Sequence, residues 1–202
     1  MMYFNPNHNS NTGFSLVETL VAIAILLIII VGPMSIATNS ANSTSFANQQ
    51  VMAYFLAQEG LELAQKGRDD FLLTSFAAGT TEGENDAAWD EFTTGSVFSD
   101  CFDSAGCGLE IEEGPNGDIE VIDCLDVTDC RLHLPNATNE RSQYTYDGSG
   151  EITDFTRVVT MEELPDAGKD VLVTSVVSWR TGNQIAVQST TAITYLYNVY
   201  GR

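Results

Sequence analysis

From Leu20 to Val31, twelve residues of this 202-residue chain are apolar without interruption. Twelve falls short of a membrane crossing, which takes about 20 apolar residues. Counting from Phe14 to Ala37 gives 24, enough to cross, but the longer segment includes Glu18. A carboxylate well inside a bilayer costs roughly 2.5–3.5 kcal/mol, so Glu18 must lie near the interface, be neutralised, or find a partner. A buried core helix would need cover on every side, and the Asn-rich polar residues 1–13 supply none. A secretory signal would use Ser35-Ile36-Ala37 as its cleavage site and leave a chain beginning at Thr38. Such signals carry a positive flank and avoid acids near it, whereas here no Lys or Arg precedes Lys66.

The sequence Gly13-Phe14-Ser15-Leu16-Val17-Glu18-Thr19-Leu20-Val21-Ala22 puts Gly, Phe and Glu at fixed spacing ahead of the apolar run. It resembles the N-terminal signature of type IV pilins and pseudopilins. The resemblance implies that a membrane peptidase cuts after Gly13, methylates the new N-terminus at Phe14, and leaves the helix attached. It makes Glu18 the acid that guides assembly. An acid in the first turn suits the helix dipole, and a carboxylate paired with the amine of its own or a neighbouring Phe14 would set axial register between subunits. Asn11-Thr12 stand where leaders of this family usually carry Lys or Arg, so the positive-inside effect that holds a leader in the cytoplasm is missing.

Gly32-Pro33 interrupts the apolar segment. Proline removes a backbone donor and clashes with the preceding turn, which predicts a kink or melted turn, with a plain helix end as the other reading. Residues 38–45 are small and polar, with poor helix propensity. Helical character returns from Phe46 to Lys66, where Val51, Tyr54, Phe55, Gln58 and Leu61 follow a 3-4 spacing. That spacing predicts the stripe that packs on a domain, widened by Met52, Leu56 and Leu63. The run Leu56-Ala-Gln-Glu-Gly-Leu-Glu62 also looks like a stretch that follows the anchor in bacterial prepilins. The expected helix ends near Gly67.

Charge concentrates further on. The chain has 8 Lys+Arg against 28 Asp+Glu, a formal net charge of −20, and 23 of the acids lie between Glu82 and Asp170. Such a surface repels phosphate backbones, since nucleic-acid affinity comes mostly from Lys and Arg; direct nucleic-acid binding is not expected. Residues 68–100 read as a loop-rich connection with a short helix around residues 87–92, in which Trp89 and Phe92 are core anchors.

The cysteines Cys101, Cys107, Cys124 and Cys130 are spaced C-x5-C-x16-C-x5-C. Zinc knuckles favour tighter spacings, and outside the cytoplasm disulfides persist. Two bridges are expected, with three pairings open. Gly114-Pro115-Asn116-Gly117 signals a turn between two apolar stretches. A hairpin there could set Cys107 opposite Cys124, but apolar matching prefers Leu109 opposite Val121 and Ile111 opposite Ile119, one residue out of that register. A one-residue slip turns side chains to the wrong face, which favours the local pairs Cys101–Cys107 and Cys124–Cys130. Val- and Thr-rich runs at residues 155–161, 171–179 and 184–197, the last two joined through a Gly182-Asn183 hairpin signal, predict an antiparallel meander. A C-terminal sheet against a long N-terminal helix resembles the pilin fold, and the last three strands look most like minor pilins and pseudopilins.

Catalytic patterns are missing. The histidines are His8, in the leader, and His133, in an edge-strand or loop context; no nucleophile elbow, phosphate loop or metal-spaced His pair occurs. Asp118, Glu120, Asp123, Asp126 and Asp129 form an acidic stretch. Clustered oxygens suit Ca²⁺, but the spacing fits no EF-hand, and a solvated acidic face is the simpler reading; no metal or other cofactor is implied.

The sequence therefore predicts an α+β, pilin-like chain without enzymatic activity: leader 1–13, transmembrane and assembly helix 14–37, amphipathic helix half 38–67, and acidic extracytoplasmic head 68–202. The resemblance implies a minor pilin or pseudopilin of a type IV pilus or secretion pseudopilus. It would start as a single-pass membrane protein with its head outside the cytoplasm, then enter a cell-surface or periplasm-spanning filament. Its implied partners are other pilin or pseudopilin subunits, the prepilin peptidase and methyltransferase, and the inner-membrane assembly platform. The alternative is a membrane-anchored or secreted adhesive ectodomain outside any filament.

Overall fold

Helix α1 runs from Leu16 to Ala77 with Pro33 inside it. The computed structural model describes residues 13–77, 82–112, 117–125, 129–135, 144–164, 170–182 and 186–198. Contacts divide the chain into two units, Met1–Ser45 and Phe46–Arg202.

In the first unit the described helix is exposed throughout, with its unbroken apolar run at Leu20–Val31 and a small, polar stretch over residues 38–45. No melted turn or helix end occurs at Gly32-Pro33, and the backbone is helical on both sides. Proline removes one intrahelical hydrogen bond, while the flanking turns propagate cooperatively. Residues 38–45 are helical as well, despite their propensity. Thr38 Oγ1 donates to Ser35 O at 2.9 Å and Thr44 Oγ1 to Ser40 O at 2.9 Å, so these hydroxyls bond back along the helix and leave its ladder intact.

In the second unit the helix packs on an antiparallel sheet through only part of the expected stripe: Leu56 and Leu63 are buried and Leu61 packs against the core, but the rest of the buried face up to Gly67 is made of smaller residues. Val51, Tyr54 and Phe55 are 56%, 48% and 62% exposed, whereas Ala53, Leu56, Ala57, Leu63 and Ala64 are buried, as are Gly60 and Gly67. Small residues win this face because the sheet approaches too closely for large ones: a Cβ at Gly60 would come within 2.5 Å of Ser175 Oγ. The helix also runs on past Gly67. Residues 68–100, expected as a loop-rich connection with a short helix around 87–92, hold the end of α1, then α2 (Glu82–Thr94), longer than that expected helix, and the start of α3 (Ser99–Phe102). These short helices and the Phe98 that leads into α3 place Trp89, Phe92, Phe98 and Cys101 in one buried cluster with Leu63 and Ala64.

The strands are β1 (Cys107–Ile111), β2 (Ile119–Asp123), β3 (Arg131–Leu134), β4 (Glu151–Glu163), β5 (Val171–Trp179) and β6 (Gln188–Leu196). They form one sheet in the order β2-β1-β4-β5-β6, with β3 also paired to β4. The β1–β2 register sets Leu109 opposite Val121 and Ile111 opposite Ile119, and Cys107 opposite Asp123 rather than Cys124. Gly117 has a left-handed φ of 62°; Gly114, Pro115 and Asn116 of the expected turn lie outside the described residues, as does Asn183 of the Gly182-Asn183 signal. The bridges are local, Cys101–Cys107 and Cys124–Cys130, with Cα–Cα distances of 4.6 and 5.4 Å. Strand β5 alternates buried and half-buried positions along its whole length, its buried face turned to the helix.

Candidate processing and assembly segment

Gly13, Phe14 and Ser15 precede α1 outside any helix or strand. Ser15 O accepts from Glu18 N at 3.0 Å and from Thr19 N at 3.2 Å, and Thr19 Oγ1 donates to Leu16 O at 2.9 Å. The first of these occupies the Glu18 N–H, a group that a helix N-terminus otherwise leaves open, and the second begins the helical ladder. Glu18 stands in the first turn, where a negative charge complements the helix dipole. A Cβ on Gly13 would meet nothing within 4 Å, so the fold itself does not require glycine there. Phe14 is 81% exposed and Ile28 75% exposed. Within the candidate span Leu16–Thr74 an 18-residue window reaches a mean hydropathy of 2.8 with none of it buried. By length and composition this helix can cross a membrane.

The head ties its share of the helix down through one buried cation. Arg157, on β4, is fully buried. Its Nη1 donates to Glu59 Oε2 at 2.8 Å and to Leu56 O at 3.4 Å, its Nη2 to Leu109 O at 2.7 Å, and its Nε to Tyr146 Oη at 2.9 Å. The Tyr146 hydroxyl donates in turn to Arg157 O at 3.1 Å, and the guanidinium carbon lies 5.3 Å from the Tyr146 ring centroid. Burial works against the Arg157 cation, yet Tyr146 and Glu59 more than offset it and leave its pKa raised. Burial pushes the Tyr146 phenol above its ordinary value, partly opposed by Arg157. Helix α1 and strands β1 and β4 thus meet on one charge, each of whose three nitrogens is hydrogen-bonded. The pattern of β4 held the signal: Phe155, Arg157, Val159 and Met161 share the inward parity, and an arginine there requires a buried acceptor. Glu59, 98 residues away, has no local cue pairing it to Arg157.

Beside this clamp the unburied side of the helix forms an open groove of about 650 Å³, lined by Val51, Met52, Phe55 and Tyr144 among others. Val51, Met52, Tyr54 and Phe55 of the expected packing stripe are therefore at the surface, while its Leu56 and Leu63 are buried. His133 lies on β3, where its backbone pairs with Thr145; His8 lies outside the described residues. Among the described residues no group of three or more His, Cys, Asp or Glu is placed to hold a metal ion. Asp126, a member of the acidic stretch considered for Ca²⁺, lies outside them.

No curated protein and no solved structure matches the chain. The family model described as the prokaryotic N-terminal methylation motif matches residues 8–32. That match spans the Gly13–Phe14 junction, Glu18 and the apolar run, and it is joined to a helix packed on a C-terminal antiparallel sheet. The chain carries the type IV pilin and pseudopilin signature on a pilin-like α+β layout.

Proposed function

We propose that this chain is a structural subunit, a minor pilin or pseudopilin, of a type IV pilus or a related secretion pseudopilus. Prepilin peptidase cuts it after Gly13, Phe14 becomes N-methylated, and the subunit assembles through the helix that begins there. The observation that carries this reading is the methylation motif over residues 8–32, placed on a helix whose apolar side chains are exposed among the described residues. Such a surface calls for lipid first and other helices afterwards. In this scheme Glu18 neutralises the Phe14 amine of its own or an adjacent subunit, because a charge left unpaired in an apolar bundle is costly. The head remains outside the cytoplasm and is exposed on the filament, where its acidity keeps it soluble. The motif family is structural rather than enzymatic, and the proposed partners are other subunits of the same machine and its assembly platform.

N-terminal mass analysis of the chain from its native membrane tests this directly. The expected N-terminus is N-methyl-Phe14. A chain beginning at Thr38 would establish secretory cleavage, and an intact Met1 a simple anchor; either result overturns the processing proposed here and favours an ectodomain working outside a filament.

A further inference from the structure

The two ends of the sheet are built differently. Strand β2 is short and carries Glu120 and Asp123, both exposed, charges of the kind that keep an edge from pairing with another chain. Strand β6, the other end of the sheet, runs nine residues, QSTTAITYL, with no charge and no proline. Its register with β5 is unbroken from Trp179↔Gln188 to Val171↔Leu196, so no bulge turns the edge away. Along its outer face Ile193 and Tyr195 are 57% and 50% exposed, opposite Thr174 and Leu172 of β5, and Tyr195 stacks on Tyr197 with centroids 6.5 Å apart. Among the described residues no strand pairs with the outer edge of β6, so a backbone ladder and an apolar row are available together, which is what strand addition uses.

The electrostatics select the partner. Beyond the Leu196 end, Asn198 is bonded to Asp86 of α2 at 3.1 Å, and Glu162 ends the outer-face row that runs through Leu172 to Tyr195. A second copy would bring another net charge of −20. From these features we infer that the β6 edge receives an extended segment of a partner protein, with apolar side chains at alternate positions and Lys or Arg at the end lying beside Leu196. Main-chain bonds to β6 supply affinity, Ile193 and Tyr195 receive the alternate side chains, and the acidic end sets direction. This inference is independent of the filament reading.

The test uses the full chain in detergent micelles and two nine-residue peptides of alternating valine and threonine, one with two terminal lysines and one with two glutamates in their place. The lysine peptide is expected to bind about tenfold tighter at low salt, with the gap closing as salt rises. Hydrogen exchange is expected to slow at residues 188–196. Thr191→Lys should lower the affinity about tenfold while leaving the circular dichroism unchanged, and Thr191→Val should preserve it. Equal binding of the two peptides would overturn the inference. So would protection confined to the groove at Met52 and Phe55, or a β6-mediated dimer of the chain forming without peptide.

Discussion

Replacing Glu59 by glutamine leaves the Arg157 cation buried without its counter-charge. Breaking a buried pair from one side costs about 3–5 kcal/mol, less where the remaining bonds hold; here the bonds to Tyr146 and Leu109 remain, so about 2–3 kcal/mol is expected. Combined with Arg157→Met, the loss should be smaller than the sum of the single changes. Urea unfolding followed by tryptophan fluorescence measures both, because Trp89 and Trp179 are each buried in the head. Tyr146 adds a pH dependence. Its phenol is raised above the ordinary value of 10.0 in the folded chain, so the native state holds a proton that the unfolded state releases first. Its contribution is complete below pH 10 and is lost as pH rises through the folded pKa. Tyr146→Phe should flatten that alkaline decline, and an unchanged decline would count against the assignment. At Glu18 the expectation is different: Glu18→Ala should insert into membrane normally yet appear less often in filaments, and normal incorporation would remove its proposed pairing role.

At the level of elements, the contact between α1 and β5 depends on the absence of a methyl group. Gly60→Ala would push a Cβ against Ser175 and bring it within 3.2 Å of Val159 Cγ2, an overpacking cost of about 1–3 kcal/mol. Ser175 Oγ is buried and has no hydrogen-bond partner among the described residues, so Ser175→Ala should be neutral or stabilising by up to about 1 kcal/mol. Added to Gly60→Ala, Ser175→Ala should recover part of the loss, since it removes the nearest obstructing atom. Thermal unfolding of the three variants would show the coupling. The same contact explains what could and could not be read beforehand. Strand β5 and the β1–β2 register were legible because Val, Leu and Ile recur at period 2 and match across the turn. The packed face of α1 was legible only in part, because Val51, Tyr54 and Phe55 outweigh alanine and glycine in any hydrophobic pattern, while close approach to a sheet favours the smaller residues. Helix α2 was legible only around Trp89 and Phe92, since the acids before them read as loop.

Over the whole molecule, charge and covalent bridging oppose each other. Confining most of 28 acids to one head creates self-repulsion that favours expansion, and two short disulfide loops restrict the unfolded chain in compensation. The unfolding midpoint of the head should therefore rise by a few degrees between about 20 and 500 mM NaCl. Reducing both bridges should lower stability by about 2–4 kcal/mol or more and make the salt effect steeper. A midpoint independent of salt would show that the acids are already balanced. The extent of the fold was legible from the exposed apolar helix and the strand pattern, because lipid and sheets impose simple periodicities. The clamp at Arg157 was not, because it depends on residues that only the finished topology brings together.

The glycines divide by what would notice their loss. Gly60 faces the sheet, so a substitution scan scored by thermal melting would rank it among the least tolerant positions. Gly13 has open space around it, and the same scan would pass every side chain there. Scored instead by the mass of the mature N-terminus, the ranking should invert under the proposed processing. A variant library sorted on stability alone would therefore retain the subunits that the filament would never receive.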